Sequence, residues 1–91
     1  GPGYVEIEAI PANELAARHG IPVKATNHKV GQLDEFVVDL ESGQITHIVL
    51  KEGHLFGKKE ISVAAEHIDR IGEIEIYLKL SKDEVEGLPH Q

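Results

Sequence analysis

The residues best suited to chemistry in this chain are its six histidines, His19, His28, His47, His54, His67 and His90. Neutral imidazole is a common zinc ligand. A zinc site, however, gathers three or four ligands, usually paired at intervals of three to five residues. No two of these histidines stand at such an interval; His47 and His54 come nearest, seven apart across a strand end and a loop. His54 lies beside Phe56 in a glycine-bounded loop and is expected to anchor that loop. Cysteine is absent, which removes thiolate metal sites, disulfides and cysteine nucleophiles together. The serines, Ser42, Ser62 and Ser81, have no histidine and carboxylate arranged around them as a nucleophile elbow or triad would require. Glu73 and Glu75 alternate outward as a solvated strand face. The glycine-containing stretches fit neither the phosphate loop nor the dinucleotide fingerprint. The expectation is a chain with no enzymatic activity, no metal and no cofactor.

The charge balance narrows the partners. The 91 residues carry 9 basic and 16 acidic side chains, a net −7 with histidines neutral. Such an acidic chain repels nucleic-acid phosphates and anionic lipid. The one basic cluster, Gly57–Lys58–Lys59, is too small for a nucleic-acid footprint. No apolar run approaches the roughly 20 residues that span a bilayer, so neither nucleic acid nor membrane is expected as a partner, and a cytoplasmic location is. Aromatic content of 4% leaves Ile, Val and Leu to build the core. The leading Gly1–Pro2–Gly3 reads as a cleavage scar.

These side chains must be positioned by short strands. "YVEIEAIP", residues 4–11, alternates apolar and acidic residues and ends at proline, as an edge strand does. "NELAARHG" follows, with Asn13 as N-cap and Gly20 as stop of a short helix. "IPVKAT" starts a strand that reverses at "NHKVG". Next comes a hairpin, "VGQLDEFVVDLESGQITHIVLKE", turning at Glu41–Ser42 with Gly43 in the left-handed position and Asp39 accepting a backbone hydrogen bond. "KEGHLFGKK" is a loop bounded by Gly53 and Gly57. "KEISV" is a strand, "AAEHID" a short turn of helix or bend, and "EIEIYLKL" the last strand. In the tail, Ser81 and Glu84 have capping-box spacing.

Alternation along the strands assigns faces, because side chains point up and down with period two. With Leu40 opposite Gln44, the hairpin places Phe36, Val38, Leu40, Ile48 and Leu50 on the core face. The other face carries Leu33, Val37, Ile45 and Val49, mixed with Glu35, Asp39 and His47. An apolar stripe on the solvent side of a sheet calls for cover, either from the N-terminal segment or from a second copy of the chain. Leu33, Val37, Ile45, His47 and Val49 are therefore the candidate interface, and Gly31, Asp39, Gly43, Gly53 and Gly57 the structural turn positions.

The run "VGQLDEFVVDLESGQITHIVLKEGHLFGKKEISV", with "GIPVKAT" before it and "IYLKL" and "SKDEVEGLP" after it, resembles the PRC-barrel domain, found in the photosynthetic reaction-centre H subunit and in the ribosome maturation factor RimM. Ala64 and Ala65 stand where family members commonly have a proline. The resemblance implies an all-β fold: a small antiparallel PRC-type barrel of about six strands, with a short N-terminal helix and a C-terminal helical turn. It divides the chain into a scar (1–3), an N-terminal strand and helix (4–19), the barrel domain (20–89) and a tail (90–91). It also implies a non-catalytic interaction and assembly module that forms a homodimer and recruits a protein partner. Two alternatives stand beside it: a small-ligand or metal-binding domain using the His54 loop, and an accessory of ribosome or RNA processing.

Overall fold

In the computed structural model of the chain, residues 12–53 and 59–89 are described. Helix α1 (Ala12–Ala17) leads into strands β1 (Pro22–Lys24), β2 (Lys29–Val38), β3 (Ile45–Glu52) and β4 (Lys59–Ala64). A 3-10 turn, Ala65–His67, precedes β5 (Ile68–Ile71), β6 (Ile76–Leu78) and helix α2 (Lys82–Glu86). The fold is mainly β, as expected. Helix α1 starts before Asn13, so Asn13 lies inside the helix rather than at its cap. The expected edge strand at 4–11 and the loop residues His54 and Gly57 lie outside the described residues.

The strands form one six-stranded sheet in the order β4-β3-β2-β1-β6-β5. Each pairing is antiparallel except β1 with β6, where Val23 and Lys24 lie parallel to Ile76 and Tyr77. The antiparallel expectation is corrected there. β4 and β5 both run opposite to β1, at the two ends of the order. A flat sheet would hold these ends about 24 Å apart at ordinary strand spacing. The four-residue step from Ala64 to Ile68 reaches at most about 14 Å. The sheet must therefore coil. Although its ladder is not closed among the described residues, the 3-10 turn carries the chain from one edge to the other.

The coil encloses an aliphatic core. Val23, Ile48, Leu50, Ile61, Val63, Ile76 and Val85 are completely buried, and among the described residues no aromatic ring is fully buried. Leu15 of α1 and Leu88 beyond α2 pack against this cluster. The capping box forms as the spacing predicts: the Glu84 N–H donates to Ser81 Oγ at 3.2 Å, and the Ser81 N–H to Glu84 Oε1 at 2.9 Å.

Two parts of the sequence reading change. "EIEIYLKL" is not one strand. The Gly72 N–H donates to the Glu75 carbonyl at 2.9 Å, closing a turn that joins β5 to β6 and leaves Ile74 75% exposed. The segment 64–69, read as a short turn of helix or bend, forms the 3-10 turn Ala65–His67 as expected, and only its last two residues begin β5. At the β2–β3 turn, Asp39 rather than Leu40 faces Gln44, its N–H donating to the Gln44 carbonyl at 2.8 Å. Leu40 thus joins the loop and is 97% exposed, and Val38 sits at the exposed rim of the core.

Candidate interaction face

The β2–β3 ladder decides which residues the candidate face contains, and its register shifts twice. Leu33 pairs with Leu50, but Glu35 pairs with Val49, so Asp34 is an extra residue on β2. Val37 pairs with His47, but Val38 pairs with Ile45, so Thr46 is an extra residue on β3. Each bulge turns the residue before it to the other face. Leu33 and Ile45 consequently point inward, belong to the core cluster and are each 2% exposed. Their assignment to the outer face is corrected.

The face left on the outside is narrower. Across β2, β3 and β4 it consists of three rows: Gln32–Lys51–Glu60, Glu35–Val49–Ser62 and Val37–His47–Ala64. Charge occupies the first row, where Lys51 Nζ also pairs with Asp34 at 3.3 Å. The third row is apolar around one imidazole, with Val37 and His47 half-buried and Ala64 exposed. Val49 lies between, already 2% exposed although outside the core cluster. Of the five expected interface residues, the structure keeps Val37, His47 and Val49 together on this face. Ala64 was not anticipated. The long β3–β4 loop gives no fixed register from which its place opposite His47 could be read.

His47 is held by its neighbour. Thr46 Oγ1 lies 3.3 Å from the Val37 carbonyl and 3.0 Å from His47 Nδ1. A hydroxyl has one hydrogen. With that hydrogen on the Val37 carbonyl, Nδ1 carries a ring proton and donates to Thr46 Oγ1. Among the described residues no group of three His, Asp or Glu side chains could hold a metal ion.

The turn positions frame this face. Gly43 has φ +73°, a conformation that a side chain resists. Asp39 caps the turn by accepting from the Ser42 hydroxyl at 2.9 Å and the Glu41 N–H at 3.2 Å. The Ser42 bond, and after it the Glu41 bond, hold the Asp39 carboxyl below the ordinary aspartate range. Gly53 ends β3 with φ +110°. Gly31 is not a turn residue, as the reversal lies earlier, at Ala25–His28, where the Ala25 N–H donates to the His28 carbonyl at 2.8 Å. It sits within β2, where a methyl group would strike the Lys51 carbonyl and approach Leu50 Cδ1 to 2.8 Å.

No helix among the described residues is long and apolar enough to cross a membrane. Comparison with curated proteins returns no match. A family model, that of the PRC-barrel domain, matches residues 21–85, the stretch from β1 into α2. With its coiled sheet and the order of its short strands, the chain belongs to the PRC-barrel domain family.

Proposed function

We propose that this domain is a non-catalytic, cytoplasmic interaction and assembly module that self-associates as a homodimer and recruits a protein partner. The observation that carries the reading is the outer row Val37–His47–Ala64 beside Val49. It is an apolar strip on the side of the sheet that faces away from the core. A two-fold dimer buries the same strip from both copies, and a stable interface removes more than about 1,000 Å² in total. Val37 lies in this row and is only half-buried in the single chain, so a charge there stays solvated in a monomer. In a dimer the same charge is buried without a partner, at a cost of several kcal/mol.

Light scattering tests this directly. The wild-type chain of 10.0 kDa is expected to scatter as two copies, and Val37→Asp as one, with an unchanged β-rich far-UV spectrum. Val49→Asp would not serve, because Val49 is already covered within one chain and an aspartate there should unfold it. A wild-type protein that remains a single copy at high micromolar concentration would overturn self-association.

A further inference from the structure

We propose a second docking surface, at the β1–β2 turn, that takes a carboxylate-bearing segment of an acidic protein partner. Two adjoining clefts, of about 540 and 670 Å³, share Lys29 as a common wall. Four of the nine Lys and Arg side chains line them: Lys24, Lys29, Lys51 and Lys82. Only three of the sixteen acidic side chains do so: Glu52, Asp69 and Glu86. With four lysines against three carboxylates, the lining is net positive by one charge in a chain whose net charge is −7. Complementary charge of this kind chooses a partner and speeds its encounter.

The turn is also built to hold a ligand. The Asn27 side-chain carbonyl accepts the Lys82 N–H at 3.0 Å, and the Thr26 N–H donates to the Leu80 carbonyl at 2.8 Å. These two bonds clamp the turn to the end of β6 and the start of α2. They also fix the Asn27 amide, since its oxygen is used and its NH2 has no acceptor among the described residues. Lys29 likewise has no carboxylate within ion-pair distance among them, whereas Lys24 is held by Glu75 at 2.8 Å, Lys51 by Asp34 at 3.3 Å and Lys82, more loosely, by Glu86 at 4.0 Å. An incoming carboxylate accepts from Lys29 Nζ and the Asn27 NH2. Tyr77 lines the same cleft with the Arg70 guanidinium 4.5 Å from its ring centre, which adds a further positive charge nearby.

A peptide fits better than a phosphate. Each cleft keeps at least one carboxylate of its own, which repels a dianion more than a monoanion. The lysines are spread along two clefts rather than gathered at a point, which suits single charges spaced along a chain. The inference gives chemistry to the partner of an interaction module, but does not depend on self-association.

The test is a titration of 15N-labelled full chain with a capped hexaglutamate peptide, with inorganic phosphate and a capped hexalysine peptide in parallel. Saturable amide shifts confined to residues 24–29 and their neighbours around Lys82 are expected with hexaglutamate only, weakening as salt is raised. Lys29→Glu and, separately, Lys82→Glu should each weaken binding by about tenfold or more. The same variants are weighed by light scattering. Absent or surface-wide shifts, or full affinity in both variants, would overturn the proposal. Phosphate giving the same shifts at equal strength would make this a small-anion site instead. Loss of self-association in Lys29→Glu would make it a contact between copies.

Discussion

Replacing Gly31 with alanine adds one methyl group between two strands, and the structure sets its cost. The methyl carbon would lie 2.8 Å from Leu50 Cδ1 and 3.1 Å from the Lys51 carbonyl carbon, with the Lys51 oxygen nearer still. Carbon atoms rest about 3.5–4.0 Å apart, so Leu50 or the strand must give by roughly an ångström. Neither has room: Leu50 is completely buried, and Lys51 is held in the ladder opposite Gln32 on one side and Glu60 on the other. Overpacking of this kind costs about 1–3 kcal/mol, and a rigid carbonyl as the obstacle argues for the upper end. The entropy that alanine removes from the unfolded chain returns only about 0.4–1 kcal/mol. A net loss of about 2 kcal/mol should lower the melting temperature by roughly 8–16 °C in a domain of this size. Thermal and urea unfolding followed by circular dichroism would measure it. Gly43 provides the contrast, because a methyl there meets nothing within 4 Å and the obstacle is φ +73° alone. Gly43→Ala should cost about 1–2 kcal/mol, and asparagine, which tolerates that conformation, should recover much of it. At Gly31 asparagine should fare worse than alanine. An unchanged midpoint for Gly31→Ala, or a rescue by asparagine there, would refute the close approach of β2 to β3.

The other outcomes follow from burial and from the turn carboxylates. Leu33→Ala should cost about 2–5 kcal/mol as a core truncation, and Leu40→Ala less than about 0.5 kcal/mol; equal midpoints in urea would contradict the bulge at Asp34. Asp39 is held below its ordinary value by the Ser42 and Glu41 hydrogen bonds, and Glu84 by its backbone and side-chain bonds with Ser81. Their stabilisation is complete above the unfolded values, about 3.9 for Asp and 4.3 for Glu. It is lost as the pH falls through the lower folded values. Asp39→Asn should therefore flatten the acid side of a stability–pH curve, and an unaltered slope between pH 2 and 5 would refute the role of the turn hydrogen bonds.

What the sequence conveyed and what it hid differ by range. Gly43, Asp39 and the Ser81–Glu84 box are interactions within four residues, and residue type alone located them. The faces of β2 and β3 depend on register, and strict alternation misplaced Leu33 and Ile45. A signal was present in both strands. "LDEF" and "ITHI" each place two polar residues between two apolar ones, a spacing of three that a regular strand cannot put on one face. A bulge can. The turn at Gly72–Glu75 was obscured by the alternation of "EIEIYLKL", which fits one long strand as well as the end of a hairpin. The basic clefts gave no local sign, because Lys24, Lys29, Lys51 and Lys82 are brought together only by the sheet.

The parallel contact between β1 and β6 has a consequence for how the chain acquires its structure. β1 to β4 form a meander of sequence neighbours, each paired with the next, and β5–β6 is a separate local hairpin. Among the described residues the ladder joins these two pieces at Val23 beside Ile76 and Lys24 beside Tyr77 alone. That joint carries a large loop-closure cost and forms late relative to the local hairpins. During synthesis the meander is complete while β1 still has an unpaired side with Val23 at its centre. The side that will receive β6 is then an open strand edge, the kind of surface on which another nascent chain can pair. The last strand therefore also serves as the cover that ends this exposure.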